Sequence, residues 1–573
     1  MEKLNMNRDF FRGVWKLTKG YWNSEEKWKA RGLFGIVIAM NFAIVYALVL
    51  LNQWYNEFYT SLQNYDKDSF LPLIGYFSVV AFTYVALSVY SIYLRQMLQI
   101  NWRKWMTKSY LDKWSQARNY YKMQVIENQT DNPDQRMTED IRDFVELTLT
   151  LLLGFLRQIT TLVAFIVILW QLSGVIALPL GSMSLEIHGY MVWICLIYAI
   201  GGTYLTTKIG NPLVRLNFDQ QRLEADFRFG LIRYRENGES IAFYGGEKAE
   251  NKNVEGRFRS VVKNYFSLMK YQKRLSWFVN IYGQTAIIVP IFLIVPAYFA
   301  KQIQWGGIMQ TLTAFDKVQT ALSFFVESYA TIAQWQSVVN RLVNFTNNME
   351  KVEQIQGETQ IKPVQDNNFQ VKSLDVTLPT GRVLLNNLNF NIAPGETILI
   401  TGDSGCGKST LLRAISGIWP FGEGEVQIPD GHQCFFLPQR PYLPLGSLRD
   451  ALLYPQENSL VSQQEIKNVM EKCELIHFFD RVNEVDDWSR ILSLGEQQRV
   501  AFARVLLAKP DIVFLDESTS ALDEKTEAVM YKLLKENLPN AAILSIGHRS
   551  TLHQYHKQQL HLSGDGNWQF SMI

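Results

Sequence analysis

Nine residues, Gly402 to Thr410, read GDSGCGKST: one glycine, four residues, then Gly407, Lys408 and Ser409. That spacing is the mark of a loop that holds polyphosphate. Glycines there let the backbone turn its N–H groups inward, and Gly402, Ser404, Gly405, Cys406 and Gly407 would line the concavity. Lys408 would reach the β- and γ-phosphates as a point charge. Ser409 would ligate Mg²⁺, and Thr410 completes the nucleotide-binding set. Further on stands DIVFLDE, Asp511 to Glu517, which ends in two carboxylates. Asp516 would hold Mg²⁺ through water, and Glu517 would orient and deprotonate the attacking water. The chemistry these residues describe is hydrolysis of a nucleoside triphosphate.

Such groups need elements that place them. ETILI runs straight into the loop and reads as a buried strand, and STLLRAI after it reads as a helix. The helix N-terminus adds its positive dipole end to the phosphate site. The apolar stretch of DIVFLDE makes a second buried strand, with the carboxylates at its end. Alone, that fragment is a strand closing in an acidic turn; its place after the phosphate loop sets it apart.

LSLGEQQR, Leu492 to Arg499, puts a serine and a glycine beside an acidic-amide run just ahead of an apolar helix, as a second phosphate site would. Phosphate loop, FLPQRPYL, LSLGEQQR, DIVFLDE, SALD and ILSIGHRS follow one another in that order. Over Phe369–Leu562 this set resembles the ATPase domain of ABC transporters. The resemblance implies that Gln439 senses Mg²⁺ and water and that His548 contacts the γ-phosphate. It implies that Ser520–Asp523, with Asp523, forms the D-loop and that Leu492–Glu496 forms the signature. In that family two ATPase domains pack head to tail. Ser493, Gly495 and Glu496 would then face ATP held by an identical subunit. The chain departs from the pattern at Leu494, where glycine is commonest, and near Leu378, where an adenine-stacking aromatic is missing.

The chain has 573 residues, net charge +2 and 47% hydrophobic residues. That length expects more than one domain, and the charge gives no reason to expect nucleic acid as a partner. The expected architecture is an all-α six-helix transmembrane domain over 1–345, a linker over 346–368 and an α/β phosphate-loop ATPase domain over 369–573. Spans of roughly 20 apolar residues are expected at Leu33–Leu51, Phe70–Tyr93, Leu147–Leu172, Tyr190–Thr207 and Phe278–Phe299, and a less apolar sixth at Ile308–Ile332. The sixth includes Asp316, Lys317 and Glu327. An ionisable group at membrane depth faces a cavity or a partner, so Glu327 is a candidate for the substrate pathway; the plain alternative is a solvated boundary residue. Lys and Arg crowd the segments after spans two and four, while Ser173–Gly189 has none. The N-terminus, those segments and the ATPase domain are therefore expected in the cytoplasm. Pro290 and Pro296 expect a kink in span five, static or moving. Cys195, Cys406, Cys434 and Cys473 lack metal-ligand spacing and are read as unpaired.

WRKWMTKSYLDKWSQARNYYKMQ, DNPDQRMTEDI, FRFGLIRYRENGESIAFYGGEKAE and SFFVESYATIAQWQSVVNRL resemble segments of the SbmA/BacA-type bacterial transporters with a fused ATPase (YddA-like) and of ABC subfamily D. DNPDQR reads as an Asn-Pro turn and RYRENGES as a charged helix face, with Glu236 and Glu239 as coupling candidates by resemblance. The resemblance implies a homodimeric half-transporter in a bacterial inner membrane, importing bulky hydrophilic solutes such as cobalamin or peptides. Its other branch implies movement of fatty acids or acyl-CoA. The ending SMI lacks a peroxisomal tripeptide. An ATP-binding regulator or channel without transport fits less well, because the hydrolytic residues are all present.

Overall fold

The computed structural model describes residues 8–126, 133–180, 183–355, 358–456 and 461–573. The chain divides into two compact units, Met1–Asp112 with Asp131–Asn347, and Asn348–Ile573 with Lys113–Thr130.

In the first unit, each of the first five expected spans lies within a longer helix. These are Lys27–Gln63, Lys67–Ser115, Ile141–Ser173, Tyr190–Glu236 and Glu247–Phe299. Each belongs to a helical run long and apolar enough to cross a membrane. The basic stretches flanking them are largely helical continuations, because a helix leaving lipid keeps its backbone bonds satisfied by simply going on. Pro290 and Pro296 both sit inside Glu247–Phe299, which runs through them.

The sixth expected span is helical in three runs, Trp305–Leu322, Phe324–Glu327 and Tyr329–Gln354, and is not among the helices that meet that measure. Its lower apolarity has a packing reason. Ile308, Thr311, Ala314, Phe315 and Val318 are buried, several of them against Phe165, Leu169, Cys195 and Ile294. A Cβ on Gly306 would fall 2.0 Å from the Asn56 carbonyl oxygen, so two helix backbones touch there. Asn52 donates to the Gln310 carbonyl at 2.9 Å. A helix enclosed by its neighbours is under no demand to be lipid-like on its outer face.

Ser173–Gly189, read from sequence only for its lack of basic residues, contains an antiparallel hairpin, Val175–Leu180 with Met183–His188. Two local expectations are corrected. Of DNPDQR, Asp131 and Asn132 lie outside the described residues, and Pro133 opens a helix rather than sitting in a turn. RYRENGES is two helices: Tyr190–Glu236 ends, Asn237 breaks the run and Gly238–Tyr244 follows.

The expected linker 346–368 is largely structured as well. Helix Tyr329–Gln354 covers its start, and Glu358–Val364 is a strand parallel to Gly422–Pro429. In the second unit that strand edges a four-stranded sheet. A six-stranded sheet holds, in spatial order, Trp568–Met572, Gln558–Leu562, Thr397–Gly402, Ala542–Ile546, Ile512–Asp516 and Cys434–Leu437. All neighbours in it are parallel except the edge pair at Trp568–Met572. Residues 113–126 join this unit: Arg118 donates to the Ser416 carbonyl at 3.1 Å, Lys122 to the Ile355 carbonyl at 3.2 Å, and Val125 packs on the core.

Candidate active site

Ligands of open parallel sheets gather at the carboxyl ends of the strands. Four adjacent parallel strands end here side by side. Thr397–Gly402 passes into the phosphate loop, Ala542–Ile546 leads to His548, Ile512–Asp516 ends at Asp516 and Glu517, and Cys434–Leu437 leads to Gln439. Residues as far apart in sequence as Gly402 and His548 thus share one edge because their strands are buried neighbours.

The loop's backbone needs its glycines. Gly402 has φ 141°, and a Cβ there would lie 2.3 Å from the Leu562 carbonyl oxygen. Gly407 has φ 107° at the start of helix Lys408–Ile415. Gly405 and Cys406 lie in the same turn, with Cys406 buried. The Lys408 ammonium donates to the Gly402 and Asp403 carbonyls at 2.8 and 2.9 Å, which folds it into the loop. Ser404 is exposed and Thr410 half-buried.

Ser409 Oγ donates to Asp516 Oδ1 at 2.9 Å. Burial pushes the Asp516 carboxyl up, against the pull of this hydrogen bond. A hydroxyl and a carboxylate converging from a helix start and a strand end are an oxygen set suited to a hard divalent cation, so both fit Mg²⁺.

Glu517 sits at φ 45° with its N–H on the Ile546 carbonyl at 3.1 Å. A left-handed conformation in a residue with a side chain is uncommon and is tolerated where surroundings enforce it. Here it aims the carboxylate between two partners. Gln439 Nε2 donates to Oε2 at 2.8 Å, and His548 Nε2 lies 3.3 Å from Oε1. The three sequence-predicted hydrolytic residues therefore meet at one carboxylate.

The signature serine starts helix Leu494–Ala508. Ser493 is its N-cap, and Glu496 closes a capping box with it. Burial opposes ionisation of Glu496, but the Ser493 hydroxyl and amide hold its carboxyl below the usual range. Ser493 and Leu494 are exposed, and Gly495 is half-buried against the Ala521 carbonyl, 3.2 Å from where a Cβ would stand. Among the described residues no hydrogen bond joins Ser493–Glu496 to Gly402–Thr410. Asp523 caps helix Glu524–Asn537, accepting from the Lys525 and Thr526 amides and the Thr526 hydroxyl. Leu378 lies in a turn and packs on its own unit's core. Glu327 belongs to the first unit, where it ends the run Phe324–Glu327 and is exposed.

Two contributing residues were not singled out from sequence, Gln498 and Arg549. Both lie inside quoted motifs, LSLGEQQR and ILSIGHRS, Gln498 two positions from Glu496 and Arg549 next to His548. Gln498 bonds the Gln439 carbonyl, and Arg549 the Leu522 carbonyl.

Comparison with known proteins places the chain in a family. Residues 17–299 match the family model of ABC transporter transmembrane region 2, and residues 385–520 match the ABC transporter model. An ABC transporter ATP-binding protein of Haemophilus influenzae is 38% identical over 555 residues, covering 97% of this chain and 93% of that one. The chain belongs to the ABC transporters. Other ABC transporters similar to it include the Escherichia coli inner membrane protein YddA, 33% identical over 93% of this chain and 94% of its own. Another is the Arabidopsis thaliana D family member 2, chloroplastic, 32% identical over 100% of this chain and 90% of its own. A solved bacterial Atm1-family ABC exporter with ATP bound has TM-score 0.71, covering 95% of this chain and 94% of its own at 18% identity, which speaks to the fold. This ABC transporter joins a helical transmembrane region to an α/β ATPase domain and is an ATP-hydrolysing transporter.

Proposed function

We propose that the protein is a homodimeric half-transporter of a bacterial inner membrane. It hydrolyses ATP at two composite sites to move a bulky hydrophilic solute inward. The observation that carries the hydrolytic part is the Glu517 carboxylate held between Gln439 and His548, one residue from Asp516. Lys408 and the loop N–H groups bind the triphosphate. Ser409 and Asp516 would hold Mg²⁺, which would neutralise phosphate charge. Glu517 takes the proton of the attacking water, while the Gln439 amide and the His548 imidazole fix the carboxylate's direction. Ser493 and Leu494 are exposed, and among the described residues no hydrogen bond joins the Ser493–Gly495 edge to the phosphate loop. This supports a site shared by two copies, and a two-fold dimer offers both edges equally. Residues 113–126, which lie between spans two and three and fold with the ATPase unit, support coupling of hydrolysis to the membrane helices. Glu327 is proposed to line the solute path.

Import of cobalamin or peptides follows the SbmA/BacA-type resemblance. A second reading, movement of acyl chains or acyl-CoA, is favoured by similarity to the D family member over 100% of this chain. Proteoliposomes with labelled cobalamin inside and ATPase units outside discriminate. ATP-dependent loss of lumenal label, absent in Glu517→Gln, supports inward transport of a hydrophilic solute. Full retention with active hydrolysis removes cobalamin as substrate and favours peptides or the acyl reading.

A further inference from the structure

Between Glu517 and helix Glu524–Asn537 the chain runs through Ser518–Asp523, outside any strand or helix. Two turn bonds, Ser520 N–H to the Glu517 carbonyl and Leu522 N–H to the Thr519 carbonyl, give it local shape. Its position relative to the active site comes from two side chains. Gln498, fully buried, accepts the Ala521 N–H at 3.0 Å and donates to Ser520 Oγ and to the Gln439 carbonyl, each at 3.2 Å. Arg549 donates to the Ser520 carbonyl at 3.1 Å and to the Leu522 carbonyl at 2.7 Å. Behind Arg549 lies Glu527, 1% exposed and 3.4 Å from its guanidinium. Glu527 also accepts from the Thr519 and Thr551 hydroxyls at 2.8 and 2.6 Å.

The consequence is mechanical. Gln498 shares a helix with the exposed Ser493–Gly495 edge, and Gly495 packs directly on Ala521. Gln498 also touches the backbone of Gln439, which orients Glu517. Arg549 is bonded in sequence to His548, the other residue on Glu517. One short loop is therefore gripped from both sides by neighbours of the hydrolytic trio.

We propose that Gln498 and Arg549 are positioning residues that lock Ser520–Leu522 to the Gln439–Glu517–His548 trio. The signature edge of each copy then moves as one piece with that copy's own water-activating groups. Occupancy sensed at the edge reaches the carboxylate through Gln498 and Gln439. This rests on the shared-site reading above.

The test uses the full-length protein in lipid nanodiscs. It follows ATP hydrolysis against ATP concentration, binding of a fluorescent ATP analogue, and the thermal midpoint. Gln498→Leu keeps the bulk and loses the hydrogen bonds. It is expected to lower kcat roughly ten- to a hundredfold, the cost of a small misplacement of reacting groups. It should flatten cooperativity between sites and leave analogue affinity within about twofold, because the phosphate loop is untouched. Arg549→Met leaves Glu527 buried without its cation, and adding Glu527→Gln relieves that. The double variant is expected to regain the wild-type thermal midpoint but not kcat, and Arg549→Lys to regain part of kcat. Wild-type kcat and cooperativity in Gln498→Leu would overturn the proposal. So would a double variant that recovers kcat along with stability, since Arg549 would then be only a counter-charge. An unaltered protein that binds ATP but never hydrolyses it sinks the underlying reading together with this one; normal hydrolysis in Gln498→Leu sinks this one alone.

Discussion

Gln439 and Glu517 meet across two neighbouring parallel strands, the amide Nε2 donating to the carboxylate at 2.8 Å. Their strands are in register at Leu437 and Leu515, so each residue stands two positions past the paired residue. A slip of one residue would turn one side chain to the other face of the sheet and undo the contact. The hydrolytic geometry is in this sense a property of strand pairing.

Replacing Glu517 with glutamine keeps the shape and removes the base. Steady-state hydrolysis should fall by on the order of a hundredfold or more, while ATP still binds. Turnover assays alongside binding of a fluorescent analogue check this; wild-type turnover would remove Glu517 as the general base.

Asp516 acts with Ser409, so its loss should register in metal dependence. Asp516→Asn is expected to raise the Mg²⁺ concentration for half-maximal hydrolysis by roughly tenfold, about 1.4 kcal/mol of binding. A Mg²⁺ titration at saturating ATP decides it, and an unchanged curve would place the metal elsewhere.

The signature separates two kinds of residue. Gly495→Ala brings a Cβ to 3.2 Å from the Ala521 carbonyl oxygen, so the helix start or the loop must shift. Turnover should drop roughly tenfold with little change in thermal midpoint. Leu494→Gly restores the commoner family residue at the first helical position, where Leu494 is exposed. It should cost up to about 1 kcal/mol of stability and leave kcat nearly unchanged. A large rise in kcat would show that Leu494 restrains the site.

His556 is buried between the Leu552 carbonyl and the Ser545 hydroxyl, each 2.8 Å from a ring nitrogen. Burial lowers its pKa to about 4 from 6.5. Its folded pKa lies below its unfolded one, so the unfolded chain binds the extra proton first as pH falls. Stability is full above about pH 6.5 and is lost progressively down to about pH 4, by on the order of 3 kcal/mol in all. The thermal midpoint should decline between pH 7 and 5, and less steeply in His556→Gln.

The phosphate loop was legible because its chemistry is local: one short stretch carries the turn, the lysine and the hydroxyl. The placing of Gln439, Ser493 and His548 was legible only through the order of motifs, since strands that pair across the sheet leave no mark of the pairing in sequence. Gln498 and Arg549 escaped notice because their partners are mostly main-chain groups, and a peptide N–H looks the same in every residue. The strand Glu358–Val364 was read as linker because ETQIKPV mixes charge and proline at a sheet edge, where both are tolerated. The sixth span is less apolar than the others because Trp305–Leu322 packs against other helices.

Residues 113–126 belong to a compact unit whose remainder is synthesised far later. The strand that carries the phosphate loop gains its neighbour Gln558–Leu562 only when the C-terminus has emerged. The ribosome therefore finishes the first unit, at Asn347, long before the second. An early segment must wait, incompletely partnered, while the membrane helices are inserted around it. Truncations near the C-terminus should accordingly leave a fully inserted protein whose nucleotide pocket was never assembled.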